Sequence, residues 1–243
     1  MNLLILSLAP VFIIAGYVYM RDKYEREPVS LLLKGLFLGA IITLPVVFIE
    51  GLLSLITFEN RVIMNAFYNG FVVAGFTEEL WKLGAVYLLI WRNPEFNERF
   101  DGIVYAVFVS LGFAAVENVL YVLDGGTQVA LSRALTAVPA HALFGVMMGY
   151  YLALAKFNPE ERESNMIKAL VVPVLFHGFY DFILMTGFNW LLLVFLPFVI
   201  YLWTTGLRRM KLLSDASRFN PVNRNPKKKV WKFNDEKFFN DEK

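Results

Sequence analysis

Seven apolar runs long enough to cross a lipid bilayer recur along this chain, and that recurrence narrows the fold to a membrane-embedded helical bundle. A crossing helix needs about 20 apolar residues to span roughly 30 Å of hydrocarbon. Inside lipid the backbone must also satisfy its own polar groups, which helices do within one segment. The runs lie at residues 3–20, 31–57, 62–91, 102–123, 138–157, 167–186 and 190–206. Apolar residues make up 57% of the 243 residues and aromatic ones 16%, well above the usage of a soluble domain. The expected fold is therefore all-α, a polytopic transmembrane bundle of about seven spans. The first run has no basic segment before it and no small-residue cleavage pattern after it, and Arg21, Lys23 and Arg26 follow. It reads as a retained anchor and not as a signal peptide.

Charge sets the expected orientation. Arg21, Lys23, Arg26 and Lys34 follow the first run, Arg92 and Arg99 the third, and Lys156, Arg162 and Lys168 the fifth, whereas the opposite side carries Arg61 and Arg133. The positive-inside rule then places the N-terminus outside and the C-terminus in the cytoplasm. Residues 125–137 read as a turn followed by a short surface or re-entrant helix. Gly35 and Gly39, and again Gly145 and Gly149, stand four apart on apolar runs, a spacing that allows close helix packing. The chain divides into a transmembrane domain, 1–206, and a basic cytoplasmic tail, 207–243, expected to be disordered and to lie near anionic lipid. Of the 23 Lys and Arg, 11 lie at or beyond Arg208. Nucleic acid is not an expected partner of so short a basic run. The absence of cysteine removes disulfides, thiolate metal sites and a cysteine nucleophile.

Ionisable residues inside apolar runs are costly, about 2.5–3.5 kcal/mol each on insertion scales, and call for a functional reading. Here they are Glu50 on the second run, Glu78, Glu79 and Lys82 on the third, Glu117 beside Asn118 on the fourth, His141 on the fifth, and His177 with Asp181 on the sixth. Residues three or four apart share a helix face, so Lys82 reaches both glutamates and His177 stacks with Asp181. A carboxylate tuned by a nearby ammonium serves as a general base, and histidine supplies an acid or an oxyanion donor. The alternatives are purely structural ion pairs, a nonenzymatic membrane sensor or scaffold, or a proton-coupled transporter or channel using the same carboxylates. No Gly-x-Ser-Gly element, paired intramembrane aspartates or His-Glu-x-x-His motif is present, which leaves glutamate-led activation of water, with or without a metal.

These residues also carry a family likeness. Glu78-Glu79-Leu80-Trp81-Lys82 resembles the Glu-Glu-x-x-Lys motif of the PrsW intramembrane proteases, and Phe113-Ala114-Ala115-Val116-Glu117-Asn118 resembles their second motif. His177-Gly178-Phe179-Tyr180-Asp181 is similar to the closing His-x-x-x-Asp motif, and Arg133 and the 139–145 segment around His141 fit in order. The resemblance spans about 16–206. It implies a place in the superfamily of CAAX-prenyl endopeptidases and bacteriocin-immunity membrane proteases. It also implies a bacterial cell-membrane protease making the first cut in a single-span membrane protein such as an anti-sigma factor, within a stress response. Where the wider superfamily usually ends its second motif in His, this chain has Glu117.

The expected catalytic residues are Glu78, Glu79, His177 and Asp181, with Lys82, Glu117, Asn118, His141 and Arg133 in support. Glu78 is the general base, Glu79 and Lys82 set its ionisation and orientation, His177 donates to the oxyanion or leaving amine, and Asp181 orients His177. No cofactor is required by this scheme. If a divalent metal such as zinc takes part, Glu79, Glu117, His141 and His177 are the expected ligands; the metal-free version is preferred, because zinc sites of similar activity usually show tighter local spacing.

Overall fold

The computed structural model describes residues 3–223, and among them all regular structure is helical. The elements are α1 (Leu3–Arg21), α2 (Val29–Leu53), α3 (Val62–Phe67), a π-helix (Tyr68–Phe76), α4 (Thr77–Ile90), α5 (Arg99–Leu135), α6 (Ala137–Phe157), α7 (Arg162–Thr186) and α8 (Leu192–Asp215). Short 3-10 turns, Pro159–Glu161 and Asn189–Leu191, lead into the last two. Proline interrupts α1, α2, α7 and α8 without ending them, as neighbouring helices allow in a membrane bundle.

Five helical stretches are long and apolar enough to cross a membrane: Leu3–Arg21, Val29–Leu53, Arg99–Phe157, Pro159–Thr186 and Asn189–Asp215. Two local features separate this number from the seven runs read in the sequence. The 62–91 run is divided by the π-helix, so that its longest α-helical piece, α4, has 14 residues. The fourth and fifth runs are joined, because only Thr136 stands between α5 and α6 and the two form one stretch of 59 residues.

The α5–α6 pair is the centre of the molecule. Every residue from Phe100 to Ala115 and from Ala137 to Tyr150 is buried, the pattern of helices surrounded by protein on all sides. Small residues make this possible. A Cβ on Gly149 would collide with the Gly102 carbonyl of α5, and one on Gly39 of α2 with the Val109 carbonyl. One expected glycine pair, Gly145 and Gly149, therefore does pack closely, while in the other Gly39 carries the tight approach and Gly35 stands looser.

Gly126 breaks α5, with φ 70 and ψ −158. A straight helix would separate residues 118 and 133 by about 22 Å, yet Arg133 Nε lies 2.8 Å from Asn118 Oδ1. The segment after Gly126 thus turns back along the first part of α5. At the other end of the chain, the helix runs on past the expected domain boundary at Gly206 to Asp215, with Met210 and Leu213 buried, and Ser217 and Asn220 are buried beyond it. The lysine run at 227–229 lies outside the described residues.

Candidate active site

The π-helix delivers α4 to the centre of the bundle. Its Gly70 and Gly75 lie against the backbone of Gly178 on α7, where a Cβ on Gly70 or Gly75 would come within 2.9 Å and 3.0 Å of Gly178 O and N. That close approach carries the start of α4, with Glu78 and Glu79, up to His177. The extra residue per turn of a π-helix shifts the facing of everything after it. Glu78, Glu79 and Lys82 are all buried on one face of α4 as a result.

Lys82 is fully buried and anchors the pair: its Nζ lies 2.8 Å from Glu78 Oε2, 2.8 Å from Glu79 Oε1 and 3.1 Å from His141 Nδ1, and it sits 4.4 Å from the centre of the Phe113 ring. His177 is held between two carboxylates, Nδ1 at 2.8 Å from Glu79 Oε1 and Nε2 at 3.2 Å from Asp181 Oδ2, and stacks on Phe144 at 4.8 Å. The second histidine starts a different chain. His141 Nε2 lies 2.7 Å from Glu117 Oε2, which pairs at 3.0 Å with Arg133 Nη2, and Arg133 also holds Asn118. Asn118 in turn donates to the Ser7 carbonyl of α1 at 2.8 Å.

All nine residues given a site role from the sequence therefore fall into one network across four helices, α4 to α7. Their partners differ in part from those expected. Glu79 bonds His177 directly, so it orients the ring as well as flanking Glu78. Glu117 stands on the far side of His141, outside the group whose donor atoms converge. That group is Glu78, Glu79, His141 and His177, each offering one ligand atom, all within 4.8 Å of one another. Two carboxylates and two imidazoles are a suitable donor set for zinc, and Glu79 Oε2 is buried with no hydrogen-bond partner among the described residues. The residues fit a divalent metal.

A cavity of about 700 Å³ opens onto this network. Glu78, Glu117, His141, His177 and Asp181 line it, as do Tyr121, Arg133 and Tyr180, whereas Glu79 and Lys82 stand behind its wall. Glu50 of α2 also lines it, with a buried Oε1 that has no hydrogen-bond partner among the described residues. The sequence marked Glu50 as an intramembrane carboxylate and assigned it no role. Phe113 and Phe144, which wall the two histidines, carry no signal of their own, since an aromatic residue on an apolar helix is ordinarily core.

A family model described as PrsW family intramembrane metalloprotease matches residues 27–204, a span that contains the whole α4, α5, α6 and α7 site. The chain belongs to the PrsW family. Protease PrsW of Bacillus subtilis (strain 168) is 40% identical over 206 residues, covering 84% of this chain and 92% of that protein. Protease PrsW of Oceanobacillus iheyensis is 36% identical over 220 residues, with 90% and 100% covered, and that of Clostridioides difficile (strain 630) is 33% identical over 225 residues, with 90% and 94% covered. No solved structure matches the chain. This PrsW family member is accordingly a peptidase and a multi-pass membrane protein.

Proposed function

We propose that the chain is an intramembrane endopeptidase that cuts a single-span membrane protein at the network on α4, α6 and α7. The observation that carries this reading is the convergence of two glutamates and two histidines, backed by a buried lysine, at the wall of a cavity inside an apolar bundle. Glu78 faces the cavity and takes the proton from the attacking water. Glu79 and Lys82, behind it, fix its carboxylate and leave little freedom to reorganise as charge develops. In the metal-free form His177, clamped by Glu79 and Asp181, donates to the oxyanion or to the leaving amine. His141, oriented by Glu117 and Arg133, holds the opposite wall.

Glu79, His141 and His177 would hold a divalent metal, with Glu78 left free as the base. Such an ion, when bound, supplies a coordinated water of lowered pKa and a Lewis acid for the carbonyl. The fit of the donor set and the metalloprotease description of the matched family favour this form over the metal-free one. An anti-sigma factor cut at a first site is the substrate we favour on the motif likeness, and we read the same motifs as kin to the CAAX-prenyl endopeptidases. We count seven crossings, taking 62–90, the first limb of α5, and α6 as one each, with the N-terminus outside the cell. Arg21, Lys23, Arg26, Arg92, Arg99, Lys156 and Arg162 then share the cytoplasmic end, and the cavity lies in the outer half.

Proteolysis of a single-span substrate by the detergent-purified protein tests this. Cleavage is expected for the native chain, loss of it with a chelator and recovery with Zn2+, and no cleavage by Glu78→Gln at normal expression. Undiminished cleavage by Glu78→Gln would remove the mechanism, and cleavage indifferent to chelators would return it to the metal-free form.

A further inference from the structure

At the end of the bundle opposite the cavity, the loop between α1 and α2 meets the start of α5. Asp101, on the first turn of α5, is about 24 Å along that helix from Glu117. Asp22 Oδ2 accepts the Glu27 backbone N–H at 3.1 Å, which curls the loop and turns Glu25 and Glu27 toward Asp101. Each of these three carboxylates has one oxygen committed to the protein. Glu25 Oε1 accepts from Asn97 Nδ2 at 3.1 Å, Glu27 Oε2 accepts from the Tyr105 hydroxyl, and Asp101 Oδ2 accepts the backbone N–H groups of Asn97 and Glu98 at 2.8 Å and 2.7 Å.

The second oxygen of each, Glu25 Oε2, Glu27 Oε1 and Asp101 Oδ1, is buried and meets no donor group of the described residues, although Glu27 and Asp101 lie close enough to share a proton when one of them is protonated. Glu27 is 2% exposed and Asp101 0%. An ionised carboxylate oxygen left so is expensive, and here three come from three residues whose donor atoms all lie within 4.8 Å of one another. Oxygens sharing one cation at 2.0–2.6 Å are about 3–5 Å apart.

We propose that Glu25, Glu27 and Asp101 form a second cation site, which takes a hard divalent ion of the Mg2+ or Mn2+ class. The all-oxygen donor set disfavours zinc and copper. Three carboxylates leave positions for water, which suits Mg2+ better than the larger Ca2+ with its demand for six to eight oxygens. The half-buried Glu25 gives the ion its way in. Asn97, Tyr105 and the α5 capping turn act as outer supports that aim the ligands. Through Glu98, bonded to Ser217, and Asn97, bonded to Arg218 at 3.0 Å, the same turn grips the segment after α8. The ion would therefore fasten three separated parts of the chain.

Mn2+ binding by electron paramagnetic resonance tests the site in the full-length, detergent-purified protein carrying His141→Ala and His177→Ala, which strips two ligands from the proposed catalytic centre. We expect a single Mn2+ per chain, displaced by Mg2+, and a rise in unfolding temperature with either ion. Glu25→Gln, which leaves the helix cap intact, should weaken binding by about tenfold or more, and Asp101→Asn should do the same. Absence of Mn2+ binding by protein that still unfolds cooperatively would overturn the proposal. So would binding that both substitutions leave unchanged. Neither result bears on whether the native enzyme cleaves protein.

Discussion

Lys82 shows how much a single residue supports here. Its ammonium is fully buried and faces two carboxylates and an imidazole, so Lys82→Met would leave two buried glutamates without their cation. Removing one partner of such a group typically costs about 3–5 kcal/mol, and the unfolding temperature of Lys82→Met should fall sharply, with Lys82→Arg losing less. The histidines make a finer distinction. His177→Ala should abolish cleavage, whereas Asp181→Asn should retain measurable activity, because Glu79 continues to hold the other side of the ring at 2.8 Å. Comparing kcat of the two variants on one substrate checks this, and a greater loss in Asp181→Asn would exchange their roles. The Glu78–Lys82 and His177–Asp181 pairs were legible in the sequence, since helical spacing alone brings i and i+4 together. The contacts of Glu117 with His141 and of Glu79 with His177 were not. They depend on which helices are neighbours, and nothing in residue spacing reveals that.

The elements carry their own lesson. The 62–91 run reads as one long span because a hydrophobic pattern does not register a change from α to π geometry. Yet the π-helix and its glycines bring α4 against α7. A Cβ at Gly178 would collide with the Phe71 ring, so Gly178→Val should push the π-helix and α7 apart beside His177. A displacement of about 1 Å can cost on the order of a hundredfold in rate. Reduced kcat is the expected result, together with an unfolding temperature lowered by overpacking, and unchanged kcat would show that the close approach is not needed. Gly125-Gly126 was legible as a break. The turning back of the chain after it was not, because its evidence is the Arg133–Asn118 bond, a contact across the break.

For the whole molecule, the segment after α8 matters first. A chain stopped after Asn223 loses none of the contacts described and should cleave normally in detergent, whereas one stopped after Arg209 loses buried Met210 and Leu213 and the Ser217 bond to Glu98 and should unfold at lower temperature. Equal stability of the two would contradict the packing of that segment. Orientation is tested by labelling, since the native chain has no thiol. Leu120→Cys and Leu184→Cys, both lining the cavity, should react with an impermeant maleimide added outside cells, and Arg92→Cys and Lys168→Cys should not. The reverse pattern would invert the protein in the membrane.

The all-round burial of α5 and α6 also divides the sequence by what drift it tolerates. On α1, residues such as Ile5 and Ile13 face outward at 63% and 71% exposure, where one apolar side chain serves as well as another and relatives are free to wander. Ile103 to Leu111 and Val138 to Met148 touch protein on every side, so volume is constrained as well as polarity, and a change at one position calls for a compensating change across the pair. Substitution libraries should therefore find the helices most exposed on the outside permissive, and the equally greasy centre of this peptidase nearly as intolerant as its glutamates.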